Sequence, residues 1–255
     1  YFLLIMILFI VNVSKHKNNG YNEYYDLIYM KITNYPKCKN IKNEIWRLIT
    51  NQFLHSNAGH IIGNSIVFLP SSIIIEHIYG FKYMILQSIV SSILATIAKA
   101  NLNPFVILLG SSSIVFSIVG SFFPIIIFNY DILNTLSLFH LVSIPIFVIF
   151  FELISYFFFK SESTSYISHW VGFISGFLLS SQFIKIVNKK NWKIFLKGIL
   201  FSVLILFTSI QLFYYINYDS EIIYTDTFEK TKLNTCCSLY FYNTRNNITS
   251  NFICA

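Results

Sequence analysis

From Gly59 to Ile216 the sequence is a succession of apolar runs, each close to the length that crosses hydrocarbon, separated by a few polar or turn-forming residues. A bilayer core takes about 20 apolar residues per helix. No water is present there to satisfy backbone N–H and C=O groups, so such runs must be helices rather than loops or open sheet edges. The runs extend from Gly59 to Ile78, Phe81 to Ala98, Pro104 to Phe128, Leu136 to Phe159, Tyr166 to Val187 and Ile194 to Ile216, with a shorter one from Tyr1 to Val13. Seven spans are expected, the first truncated, although the apolar part of a signal peptide would read the same way. The expected fold class is all-α, polytopic and membrane-embedded.

Charge supports this. Only 11% of the residues are charged while 55% are hydrophobic, too little charge to solvate a globular surface of this size. The net charge of +7 rests largely on Lys15 to Arg47 and Lys185 to Lys197, both flanking apolar runs. Lipid headgroups are therefore the expected counter-charge, and no nucleic-acid partner is expected. Cys38, Cys236, Cys237 and Cys254 lack metal-ligand spacing, as do the histidines and carboxylates, so no metal or organic cofactor is expected. A disulfide within the tail stays open at this point.

Short connections at Tyr79-Gly80, Asn129 to Thr135 and Lys160 to Ser165 make successive helices antiparallel neighbours. Spans two, four and six then cross in one direction, and their N-terminal ends share one face of the membrane. Unusual polar residues gather near those ends: His60 and Asn64, Ser112, and His169. A rise of 1.5 Å per residue puts them roughly 5 to 15 Å below that face. A serine hydroxyl is a weak nucleophile until a base takes its proton, and histidine is the usual base near neutrality. Ser112 and His169 are accordingly the candidate catalytic pair. Acyl transfer also needs donors for an oxyanion, and His60 and Asn64, four residues apart on one helix face, can supply them beside the Ser112 backbone N–H. Gly172 and Gly176 share a stripe with His169, and Ser113, Ser117 and Gly120 form a comparable stripe on span four, so the two helices can approach closely. Gly110 suits a tight turn into the helix.

The ordered set of Trp46-Arg47, His55, His60 and Asn64, Glu76 with Gly80, Gly110-Ser111-Ser112, and His169-Trp170-Val171-Gly172 with Gly176 resembles the rhomboid intramembrane serine proteases. The resemblance covers about Trp46 to Leu179. It implies a six-helix core, a Ser112–His169 dyad without an acidic third member, His60 and Asn64 as oxyanion donors, and cleavage of transmembrane segments of other membrane proteins within the lipid bilayer. The seventh span resembles the six-plus-one arrangement of many eukaryotic members. Expected boundaries are 1–187 for the core, 194–216 for the added helix and 217–255 for a polar tail. Ser113 and Ser117 stand where the family usually has glycine. That departure motivates an alternative, a rhomboid-like pseudoprotease that holds membrane clients without cutting them. A transporter would need polar residues through the whole membrane depth, and here they stop near one face.

Other residues carry humbler expectations. Glu152 is read as a structural partner or a protonated acid rather than the acid of a triad, and His55 as a cap or loop hydrogen-bonding group. Trp46 and Arg47 fit an interfacial anchor, and Lys99, His77 and His140 fit span ends that reach water. The dense cluster Lys185 to Lys197 is placed in the cytoplasm, so the site faces the lumen or exterior of an endomembrane or plasma membrane. Asn247-Ile248-Thr249 is a glycosylation sequon if the tail is lumenal, and the sequon at Asn12 falls in apolar sequence. The sequence carries no signal for oligomeric state.

Overall fold

The computed structural model describes residues 45–55, 58–102, 108–159, 165–217, 238–243 and 248–253. The Tyr1–Val13 run, the sequon at Asn12, the four cysteines and Asn247 lie outside them. A short helix α1 (Arg47–Thr50) leads into a single 3-10 turn (Asn51–Phe53). There follow α2 (Ala58–Tyr79), α3 (Phe81–Leu102), α4 (Ser112–Gly120), α5 (Phe122–Asn129) and α6 (Thr135–Ile154), which widens into a π turn at Ser155–Phe159. The helices close with α7 (Tyr166–Phe183) and α8 (Asn191–Asn217). In the tail, β1 (Ser238–Asn243) and β2 (Ile248–Ile253) form an antiparallel hairpin, with Ser238 opposite Ile253 and Asn243 opposite Ile248.

Among the described residues, five helical stretches are long and apolar enough to cross a membrane: Gly59–Tyr79, Phe81–Leu102, Ser112–Ile132, Thr135–Phe158 and Asn191–Asn217. The chain is an integral, multi-pass membrane protein with an all-α membrane part. Helix α7 falls outside that set because it carries Ser168, His169, Ser175, Ser180, Ser181 and Gln182 in 18 residues. It can afford them because its neighbours are protein: it packs most closely on α4, then on α3 and α8.

Two expectations need correction. The apolar run from Pro104 to Phe128 is expected to be one span, entered by a turn at Gly110; helix α4 does start at Ser112, but the run is divided between α4 and α5 at Ser121. Gly110 takes a φ of 105°, which an L side chain rarely adopts, and its N–H bonds the Asn51 carbonyl at 2.9 Å, so the chain turns there before the helix begins. Lys99, expected at a watery span end, is only 2% exposed. Helix α3 runs past it to Leu102, and its second half lies under α1, with Ser92 Oγ donating to the Leu48 carbonyl at 2.8 Å and Asn51 Nδ2 to Thr96 Oγ1 at 2.9 Å.

Lipid tails are as apolar as leucine, so helices inside a bilayer associate through close contact and hydrogen bonds. The close contact is concentrated between α4 and α7, and hydrogen bonds tie both helices to α3. A Cβ added at Gly172 would overlap the Ser113 carbonyl, one at Gly176 the Ser117 carbonyl, and one at Gly120 the Phe173 carbonyl. Beside this contact runs a ladder of buried polar groups. Gln87 Nε2 donates to Ser117 Oγ at 2.8 Å and to Ser121 Oγ at 2.7 Å, Ser91 Oγ donates to Ser117 Oγ at 2.6 Å, and Ser175 Oγ to Ser91 Oγ at 3.0 Å. Ser117, a departure from the family glycine, is thus a rung of the ladder. Apolar packing surrounds it, with Ile75, Ile114, Ile118, Phe122 and Phe128 at its centre. At the far end Asn129 Nδ2 donates to the Lys185 carbonyl at 3.0 Å, and Lys193 Nζ, itself 2% exposed, donates to Asp131 Oδ1 at 2.7 Å, seating the start of α8.

Candidate active site

Ser112 opens α4 directly after the Gly110 turn, and His169 lies in the first turn of α7. The glycine contact between these helices holds the two side chains together: Ser112 Oγ is 2.9 Å from His169 Nε2. Both residues are buried. Phe116, one turn beyond Ser112, stacks on the imidazole with centroids 4.4 Å apart and planes 7° from parallel. Tyr166 meets the same ring at its edge, 6.4 Å away. On the ring's other side Nδ1 is 2.7 Å from Glu152 Oε1, which comes from the last turn of α6.

A second constellation gathers around the preceding residue, Ser111. His55 Nε2 lies 3.1 Å from Ser111 Oγ, receives the Ser111 backbone N–H at 3.3 Å and lies 3.1 Å from Asn64 Nδ2. Several donors converging on one nitrogen assign its lone pair to Nε2 and its proton to Nδ1. Burial, reinforced by the neighbouring His60, pushes the His55 pKa down from 6.5 to about 3, so the ring is neutral. His60 meets His55 edge-on with centroids 5.0 Å apart, and a Cβ at Gly110 would come within 2.6 Å of His60 Cε1. Glycine is therefore required at 110 both by φ and by the imidazole lying over it.

Of the residues selected from sequence, the structure brings Ser112 to His169, lays His60 over Gly110, and sets Gly172 and Gly176 in the α4–α7 contact. Asn64 directs its amide at His55 and, at 3.5 Å, at Ser111 Oγ. Sequence reasoning missed Phe116, Tyr166 and Gln52. Phe116 and Tyr166 carry a usable signal, since they sit at i+4 from Ser112 and i−3 from His169. Gln52 accepts a hydrogen bond from Ser113 Oγ at 3.0 Å, and no local pattern marks it, because the fold alone carries α1 to α4.

Chemically, the arrangement presents a hydroxyl, an imidazole that can take its proton, and a carboxyl group behind the imidazole, in a buried site with the Asn64 amide and the His55 and His60 rings gathered around the preceding turn. Among the described residues no group of three His, Cys, Asp or Glu side chains is placed to hold a metal ion.

Comparison with known proteins gives two findings. The Rhomboid domain family matches residues 42–186, more than half of the chain. "Rhomboid-like protease 3" of Toxoplasma gondii is 29% identical over 77 residues, which are 30% of this chain and 29% of that protein. The chain thus matches less than a third of that relative's length.

Proposed function

The chain belongs to the rhomboid family of intramembrane proteases, and from that membership we propose that it is an active serine endopeptidase cleaving transmembrane segments of other membrane proteins. The observation that supports this reading best is the 2.9 Å approach of Ser112 Oγ to His169 Nε2. In the proposed reaction Ser112 Oγ attacks the scissile carbonyl carbon while its proton passes to His169 Nε2. The resulting oxyanion is met by the Ser112 N–H, His60 and Asn64. On collapse the C–N bond breaks, His169 returns the proton to the leaving amine, and an acyl-enzyme remains. Water, deprotonated by His169, then releases the second product. A peptide bond inside a helix is shielded by its own hydrogen bonding, so substrates with helix-weakening residues at the cut are favoured. The proposed division assigns this core to residues 1–187, an added span to 194–216 and a polar tail to 217–255.

One observation favours the pseudoprotease reading: the Asn64 amide is engaged by His55 and Ser111 rather than free for an oxyanion. Labelling of the purified chain with a fluorophosphonate probe decides between them. The protease reading expects labelling that is lost in Ser112→Ala and kept in Ser111→Ala and Ser113→Ala. A well-folded wild type that takes no label makes the chain a binder of membrane clients.

A further inference from the structure

We infer that Glu152 is a positioning residue for His169, so that this chain works with three members, Ser112, His169 and Glu152, where the family resemblance implies two; the inference rests on the protease reading above. Three independent observations carry it.

The first is the geometry around one ring. Glu152 Oε1 lies 2.7 Å from Nδ1, within the short range of charge-assisted bonds, while Nε2 faces Ser112 Oγ at 2.9 Å on the opposite side. An ionised carboxylate can only accept, so it holds the imidazole proton on Nδ1 and leaves the Nε2 lone pair facing the hydroxyl. That is the tautomer a general base for Ser112 needs. With Phe116 flat against the ring face, the imidazole is fixed in plane as well as in rotation.

The second is where the carboxylate sits. Glu152 is the single acidic residue of α6, a helix whose neighbouring side chains Phe150, Phe151 and Leu153 are exposed on the outer surface. Glu152 itself is only 7% exposed, and among the described residues His169 is the partner of its carboxylate. A buried acid at membrane depth is costly and needs a reason that names its partner. Here the reason arises in the reaction. When His169 takes the Ser112 proton it becomes an imidazolium in an environment of low dielectric, where an adjacent carboxylate offsets the new charge far more strongly than it would in water.

The third is the local backbone. Three residues after Glu152 the helix widens into the π turn Ser155–Phe159, a feature common at functional sites. Ser155 Oγ and Tyr166 OH lie 3.0 Å apart, and the Tyr156 and Tyr166 rings meet edge-on at 5.1 Å. These contacts fasten the end of α6 to the start of α7, three residues before His169, and so set the carboxylate opposite Nδ1.

Because the stabilisation appears only as the imidazolium forms, losing it slows the chemical step and leaves probe binding nearly unchanged. The test measures the maximal rate of fluorophosphonate labelling and the half-saturating probe concentration for the full chain in detergent. Glu152→Gln is expected to lower the maximal rate by about a hundredfold or more with half-saturation within about twofold, and Glu152→Asp to regain at least about tenfold of the loss. A Glu152→Gln protein labelling near the wild-type rate overturns the inference and leaves the protease reading standing, provided Ser112→Ala removes the label. A wild type that never labels overturns both. If the Gln variant does not fold, nitrogen-15 NMR of histidine-labelled wild type decides, its His169 signals assigned by their loss in His169→Ala. A proton on Nδ1 with Nε2 bare supports the inference, and the opposite tautomer overturns it.

Discussion

His55 and His169 each hold a serine of the same short turn, but their second nitrogens meet different surroundings. Nδ1 of His169 faces a carboxylate, whereas Nδ1 of His55 is buried with no hydrogen-bond partner among the described residues. That contrast suits His55 to a structural task, the loop hydrogen bonding expected of it, in which a ring neutral down to about pH 3 gathers the Ser111 N–H and the Asn64 amide. It also has a pH signature. The folded ring titrates near 3 and the unfolded one near 6.5, so between those values the unfolded state binds the extra proton and stability falls as the pH falls. Replacing His55 with Gln keeps an acceptor at the ring's far end and removes the titration. The fall in thermal midpoint between pH 7 and pH 5 is accordingly expected to be smaller in His55→Gln than in wild type, as read by tryptophan fluorescence during heating; equal slopes would contradict the assignment. The candidate pair could be chosen from sequence because Ser112 and His169 are unusual types at one depth, and the structure sets them 2.9 Å apart. Glu152 stood out for the same reason, yet its partner could not be named, because depth along a helix does not give the direction a side chain faces.

At the scale of elements, the α4–α7 contact sets the distance between hydroxyl and imidazole, and its glycines differ sharply from others in the chain. Gly176 leaves no space for a methyl against the Ser117 carbonyl, while Gly63 and Gly198 have nothing within 4 Å of an added Cβ. Overpacking of this kind costs about 1 to 3 kcal/mol. Gly176→Ala is expected to lower the midpoint of denaturant unfolding and to slow labelling by pushing the helices apart; Gly63→Ala and Gly198→Ala should change neither. The order of helices and most of their boundaries follow from the lengths of the apolar runs, since hydrocarbon fixes how much chain each must use. The turn into α4 was legible in Gly110, but what holds it was not, because the Asn51 carbonyl and the His60 ring that meet it come from other parts of the chain.

Over the whole molecule, Ser112 and the basic segment around Lys185 to Lys197 stand at opposite ends of the Ser112–Ile132 span, about 30 Å apart by helix rise. If the basic end is cytoplasmic, a cysteine at Lys189 in a variant without native cysteines reacts with a membrane-impermeant maleimide in sealed vesicles whose cytoplasmic face is outward. A cysteine at Ile45, exposed just before α1, whose following turn bonds Gly110 through the Asn51 carbonyl, reacts only after the vesicles are opened. The reverse pattern would invert the orientation. Tail residues 238–253 show how far composition reaches: the segment is marked as polar by its sequence, while its hairpin depends on pairing that no apolar period announces. The Gln87–Ser117–Ser121 ladder has a broader meaning. Bonds made inside the bundle, out of reach of headgroups and tails alike, keep their partners whatever lipid lies outside, so the bundle carries its own glue from one bilayer to another, and the thickness or make-up of the lipid has little leverage on the alignment of Ser112 and His169.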